Sequence, residues 1–314
     1  MFRLRQSVCL LLLCCFLFKD LRAQSGAKQF FTPATGLDKG RLIGVGVGTA
    51  VLYGLSMYLL YRSWYKGYAK SKFHFFNDTR EWMLMDKMGH ATTAYNIGRG
   101  YYDLMRWSGL QNNESAWIGG AVGLVFLTSI EVFDGYSEGW GFSWGDMAAN
   151  LAGAGLFWGQ QFGWQDQKIS MKIGWRKSIY ASYRPNLLGK SIPQQMLKDY
   201  NGQQAWLSFN IASIIPVGPD FPRWLNFAVG YSGNGMVGGH KNPDMKDAAG
   251  RAVQFERYRQ YYIGMDIDLP RVPTNLNGLS TLGHAIQFIK IPSPTLEFNR
   301  IQKVRFNPLF VRNR

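Results

Sequence analysis

Three apolar stretches of this chain each carry polar residues at helical spacing. Asp86-Lys87-Met88-Gly89-His90 sets a carboxylate and an imidazole one turn apart, Glu131 and Asp134 fall at i,i+3, and Asp146 and Asn150 at i,i+4. Charges inside a low-dielectric bundle are costly unless they converge on one another, on a cation or on water, so one shared site is the favoured arrangement. Asp86, His90, Glu131 and Asp134 are the candidate metal ligands. The sequence names no cofactor; a divalent cation is what such a set would take. His90, Glu131 and Asp146 are the candidate catalytic residues, with His90 titrating near neutral pH and the set activating a water or hydroxyl against an ester or phosphoester.

Each member also has a structural account. Ser143-Trp144-Gly145-Asp146 reads as a capping box, Asp86 as a cap of the second helix, Lys87 as counter-ion to Asp86 or Glu131, and His90 as a hydrogen-bonded core residue. The first reading is therefore a non-enzymatic envelope component with a structural or assembly role, in which these side chains hold helices in register. The rival is a membrane-interface hydrolase or transferase acting on a lipid-linked or phosphorylated envelope substrate. The sequence leaves open whether the protein is an enzyme.

The elements that must position these residues begin with an export signal over residues 1–24. Arg3 and Arg5 precede an apolar run from Val8 to Phe18, and Ala23 offers a small residue at the exit. All three cysteines (Cys9, Cys14, Cys15) fall inside it, so the mature chain has no thiol for disulfides, nucleophiles or metal sites. Cys14-Cys15 sits within the apolar core rather than after a small residue, a poor match to a lipoprotein signal. The formal charge is +15; the leader holds four basic residues and one acidic, so +12 remains. For an exported chain this balance points to anionic lipid headgroups, and to envelope proteins as further partners, and no reader motif supports nucleic acid.

Residues 40–163 read as a four-helix, membrane-associated bundle. Leu42 to Tyr61 is uncharged between Arg41 and Arg62 and long enough to span a bilayer. Three less apolar helices are expected over about Asp86–Trp107, Ser115–Phe133 and Ser143–Phe162, with Gly119/Gly123 and Ala149/Gly153 allowing close approach. If all four span, the basic loop holding Arg62, Lys66, Lys70, Lys72 and Arg80 lies in the cytoplasm and the C-terminal domain in the periplasm. If only the first inserts, the rest lies on the membrane surface. The choice between inner and outer membrane stays open.

Residues 165–314 change period to alternation and aromatic enrichment, giving an α+β chain with an antiparallel β-rich second domain. Strands are expected within Lys168–Tyr183, Ala205–Ser213, Trp224–Tyr231, Tyr258–Leu269 and Ile286–Phe298. Trp224–Tyr231 suits a lipid-facing strand, but the strands are few for a closed barrel. His74, His240 and His284 fall on unrelated segments. Gly230-x-x-Gly233-x-Gly235 fits a turn rather than a phosphate loop, and Arg300, Lys303, Arg305, Arg312 and Arg314 make a solvated basic end.

The combined pattern of Asp86-Lys87-x-x-His90, Glu131-x-x-Asp134, and Gly139-Trp140-Gly141-Phe142-Ser143-Trp144-Gly145-Asp146 with Asn150 and Gly153 resembles an uncharacterised family of predicted periplasmic lipoproteins, the YfiM-like proteins. The resemblance covers about Asp86 to Gln160. A fainter one is to VanZ-like membrane proteins, which carry Asp-Lys-x-x-His, a later Glu and Asp-x-x-x-Asn on successive helices. These resemblances imply an envelope location and no assigned activity; the β-rich extension is outside the lipoprotein pattern.

Overall fold

The computed structural model describes residues 30–246 and 250–309. The expected export signal and the tail residues Arg312 and Arg314 lie outside these. Four long helices come first: α1 (Lys39–Leu60), α2 (Met85–Trp107), α3 (Asn112–Gly135) and α4 (Trp144–Trp164). An antiparallel sheet follows, so the chain is α+β.

The core of the helical domain is three helices rather than the four expected. α2, α3 and α4 pack on one another around Tyr95, Ala116 and Phe157. α1 stands apart with Val45 as its one buried residue, tied to the others through Tyr101–Thr49 and Tyr53–Ser129 hydroxyl pairs of 3.0 and 2.8 Å. Its sequence is apolar on every side, which gives no single face to bury. Among the described residues, two helical segments, Lys39–Tyr65 and Asn112–Gly135, are long and apolar enough to cross a membrane. α2 and α4 do not reach that level.

Small residues bring the three core helices together. A methyl group on Gly153 would fall 2.0 Å from the Ala91 carbonyl oxygen on α2, and one on Gly119 would fall 2.4 Å from that of Gly98. Close approach lets short carboxylates reach across helix interfaces to a common point.

A one-turn segment of unusual conformation leads into α2. Trp82, Met83 and Leu84 all adopt positive φ, of 46°, 54° and 69°, which costs an L-residue roughly 1–2 kcal/mol each. The second domain holds it in place: Trp82 N donates to Gly239 O at 3.0 Å and the Tyr231 hydroxyl to Met83 O at 2.5 Å.

The sheet contains β1 (Ile169–Trp175), β2 (Gln203–Asn210), β3 (Leu225–Asn234), β6 (Tyr258–Ile267), β7 (Thr295–Asn299) and β8 (Lys303–Asn307), in the order β1-β2-β3-β6-β7-β8. A separate hairpin joins β4 (Met245–Lys246) and β5 (Ala252–Val253). Its register puts polar residues on one face, as in Asn226↔Asp266, Ser232↔Gln260 and Thr295↔Asn307. The other face carries Phe227↔Met265, Val229↔Ile263 and Leu296↔Phe306. The expected strand over Ile286–Phe298 is instead the end of helix α5 (Asn277–Ile286), an irregular run and most of β7. That run lies along the free edge of β1, with Ile173 N bonded to Phe288 O at 2.8 Å and Lys290 N to Ile173 O at 2.9 Å. The sheet thus curls back toward itself.

The helix seam gives a direct test. Gly153→Val should destabilise the helical domain by about 3 kcal/mol or prevent folding, because the α4 backbone must move away from α2. Gly155→Ala, where a methyl group meets nothing within 4 Å, should be neutral or slightly stabilising. Denaturant midpoints of the purified protein in detergent would separate the two.

Candidate functional site

The site forms where the first turns of α2 and α4 meet the last turn of α3. Ser143 caps α4, its hydroxyl accepting from Asp146 N at 3.1 Å. The reciprocal half of the expected capping box comes from another helix: the Ser143 amide donates to Glu131 Oε2 at 3.0 Å. Asp146 is thereby released to face α2.

Lys87 is the hub. Its ammonium lies 2.5 Å from Asp78, 2.9 Å from Asp146 and 3.3 Å from Asp86. Asp78 also accepts from the Ser143 hydroxyl at 2.6 Å. Asp86 does not cap α2; it bonds Lys87 and receives the Tyr200 hydroxyl from the second domain. Burial, and next the Asp86 charge, hold the Tyr200 phenol protonated as the donor. The Lys87 ammonium remains charged: burial opposes it, but Asp86 and Asp146 outweigh burial and raise its pKa.

His90 occupies the next turn. Its Nδ1 is 3.0 Å from Asn150 Oδ1, an acceptor that fixes Nδ1 as the protonated nitrogen. Nε2 faces Glu131 Oε1 at 3.6 Å and Asp146 Oδ1 at 3.9 Å. Glu131 is 1% exposed, and its Oε1 has no hydrogen-bond partner. Burial disfavours an imidazolium, yet the Asp86, Asp146 and Glu131 charges prevail and raise the pKa of His90. Burial, then the Asp86 charge, pushes Asp146 up to about 7, since one ammonium shared among three carboxylates does not neutralise each.

The structure gathers Asp86, His90 and Asp146 so that one ligand atom of each lies within 4.8 Å of the others, a grouping able to hold a metal ion. Glu131 lies outside this grouping, beside His90 Nε2 at 3.6 Å. Asp134, expected among the ligands, faces elsewhere and accepts from the Tyr65 hydroxyl at 2.6 Å. Sequence reasoning missed Asp78, Tyr65 and Tyr200; all three sit outside the core helices, and Asn77-Asp78-Thr79 has the ordinary look of a turn. The other histidines do not join: His240 pairs with Glu81 at 3.2 Å and His284 with Asp103 at 3.0 Å, while His74 contacts Ser71.

The cluster forms one wall of an open cavity of about 530 Å³ lined also by Arg62, Trp64, Tyr65, Lys66, Trp140 and Lys198. Acid groups line the floor, and three basic side chains share the walls with aromatic rings. A π-helical turn, Tyr61–Tyr65, continues α1 into this wall, an irregularity common at functional sites.

Residues 74–158 match the family model for a predicted periplasmic lipoprotein (DUF2279). The matched segment contains the whole polar set from Asp78 to Asn150 and stops before the sheet; the family is envelope-associated by that description. The similarity to VanZ-like membrane proteins is not shown by this comparison. No curated protein and no solved structure matches the chain.

Lys87→Met should cost about 3–5 kcal/mol, because it strands several carboxylates with burial intact. A second change, Asp146→Asn, should recover part of that loss. Chemical denaturation of the single and double variants measures the coupling.

Proposed function

We propose that the protein is a divalent-cation-dependent hydrolase or transferase of the cell envelope, acting at a membrane interface on a lipid-linked or phosphorylated substrate. The observation that carries this reading is Glu131 Oε1, buried without a hydrogen-bond donor and facing Nε2 of His90. With the carboxylate oxygen 3.6 Å from this nitrogen and Asp146 Oδ1 3.9 Å from it, positive charge belongs between them, carried by a proton on the imidazole at low pH and by a cation once that proton leaves. Ligand atoms about 2.1 Å from a cation stand roughly 3–3.5 Å apart, so a small inward adjustment seats an ion. The Nδ1–Asn150 contact fixes the His90 tautomer as metal-bound histidines require.

Charge accounting supports the same reading. Asp78, Asp86 and Asp146 line the cavity and meet Lys87, while Glu131 and Asp146 face His90, so four carboxylates share one ammonium and one imidazole. A divalent cation would offset that excess, lower the pKa of a bound water and polarise a phosphoryl or ester oxygen. Arg62, Lys66 and Lys198 suit an anionic headgroup or phosphate entering from the mouth. The cavity adjoins the end of α1, the less buried of the two apolar spans, which fits a substrate delivered from a bilayer.

A structural role is the second reading, favoured by Lys87. Its engagement with three carboxylates binds the segment before α2 to both α2 and α4 without any ligand.

Glu131→Gln separates the two. The amide oxygen keeps the bond from Ser143 N, so the fold should persist, while the charge facing His90 is removed. On the enzymatic reading this variant and His90→Ala lose stoichiometric Mn²⁺ or Zn²⁺, and phosphate release from phosphorylated lipids falls about 100-fold or more. If wild type releases no phosphate with any divalent cation, and only destabilised variants lose the cellular phenotype, scaffolding is the role.

The pH dependence of cation binding follows from the same groups. His90 and Asp146 must both be deprotonated to ligate, and both hold their protons to higher pH than usual. Affinity should therefore be weak at acid pH and climb through about pH 7, by about tenfold per pH unit for each proton released. Isothermal titration in buffers of different ionisation enthalpy would count those protons.

A further inference from the structure

The sheet of the second domain is built inside out relative to one in water. Its concave face is polar and sealed: Lys172 on β1 meets Asp266 on β6 at 2.7 Å, although β2 and β3 lie between their strands in the sheet. Ser208 donates to the same carboxylate at 2.6 Å, and Lys290 reaches in to within 3.6 Å of it, over the Trp206 ring. Asn226, Ser232, Gln260 and Glu297 continue this interior, each 2% exposed or less. The convex face shows the opposite chemistry. Phe227, Tyr261, Ile263, Leu296, Val304 and Phe306 are 40–61% exposed. A sheet that put its apolar side chains outward in water would forgo most of the burial that drives folding.

From this inversion we infer that the convex face of the second domain lies against the acyl chains of a bilayer, an occupant distinct from any substrate of the helical site. Polar-in and apolar-out alternation is the pattern of membrane β structure, and β3 and β6, at 10 residues each, have the length of strands that cross. The apolar band ends in basic residues on both sides. Arg259 and Lys303 lie at one end of the strands, Lys168 and Arg223 at the other, where headgroup phosphates would stand. A protein partner would be met by a mixed surface with hydrogen-bonding groups, and the exposed band of Phe227, Ile263, Leu296, Val304 and Phe306 offers none in its side chains. The inference departs from the expectation of a β-rich domain exposed to the periplasm, and it does not depend on the helical site being catalytic.

The cysteine content makes the test clean. In a chain with Cys9, Cys14 and Cys15 replaced by serine, single cysteines at Phe227, Ile263 and Phe306 would be labelled with a fluorescent probe. The protein would then be reconstituted into phosphatidylcholine–phosphatidylglycerol vesicles, with Lys190→Cys on an exposed loop as control. Nitroxides attached to the acyl chains should quench the three sheet positions about twofold or more and leave the Lys190 position unchanged. Aqueous iodide should do the reverse. Quenching of the sheet positions by iodide would overturn the inference by showing a water-exposed face. Protection from both quenchers would overturn it by showing a protein-covered one. All labelled sites are exposed, so a probe there does not enter the folded interior.

Discussion

A single ammonium serves too many carboxylates, and much of the helical domain follows from that imbalance. Lys87 stands between Asp78, Asp86 and Asp146, drawing the turn before α2 and the start of α4 onto one point. The helices reach that point because Gly153 and Gly119 leave no side chain between backbones. The left-handed turn at Trp82–Leu84 holds the approach to α2 in its path, at a conformational cost that hydrogen bonds from the second domain offset. What Lys87 does not satisfy is the next turn inward, where His90 and Glu131 present a nitrogen and an oxygen to each other with no hydrogen bond between them. On the proposed reading that residual demand for positive charge is the function.

The two domains share a distribution of polarity. In both, a set of charged groups, Lys87, Glu131 and Asp146 in one and Lys172, Asp266 and Glu297 in the other, is gathered inward, and large apolar side chains such as Leu52 and Val125 on the helices and Phe306 on the sheet are left outside. A water-soluble protein arranges these the other way. The arrangement is coherent if lipid surrounds much of the molecule: the desolvation cost of the inner groups is then matched by the chain's own counter-charges, and the outer groups meet acyl chains. Tyr200 links the two interiors, carrying a donor from the loop before β2 to Asp86 on α2.

Much of this was legible in the sequence. The four long helices lie within a few residues of where apolar period and flanking charges place them, because α1 is bounded by Arg41 and Arg62 and α4 by its Ser143 cap. His90, Glu131 and Asp146 do converge, since polar residues at helical spacing in apolar helices have few other ways to be satisfied. The count of helices in the core was not legible. Nothing in the Leu42–Tyr61 run marks one side as buried, so its separation from the other three had no signal. Asp134 was misplaced because i,i+3 spacing shows only a shared face, and about 60° of rotation separates it from Glu131 on that face. Tyr65, which claims it, comes from a π-helical turn that sequence does not announce. Alternation identified β3 and β6 but does not say which face looks inward; that was decided by Lys172, Asp266 and Lys290, distant in sequence. The short β8 and the helix α5 were missed, the first for its length and the second although Leu279, Leu282 and Ile286 fall at helical i, i+3, i+7 spacing.

The central claim is that Asp86, His90 and Asp146 converge on a cation, with Glu131 facing the same imidazole nitrogen. Pulsed electron paramagnetic resonance of protein loaded with one equivalent of Mn²⁺ tests it at the atoms concerned. The account predicts coupling of the metal to a single imidazole nitrogen, retained in Glu138→Gln, a change at an exposed carboxylate between α3 and α4, and abolished in His90→Ala. Mn²⁺ that does not bind stoichiometrically, or that binds with no nitrogen coupling, would contradict it.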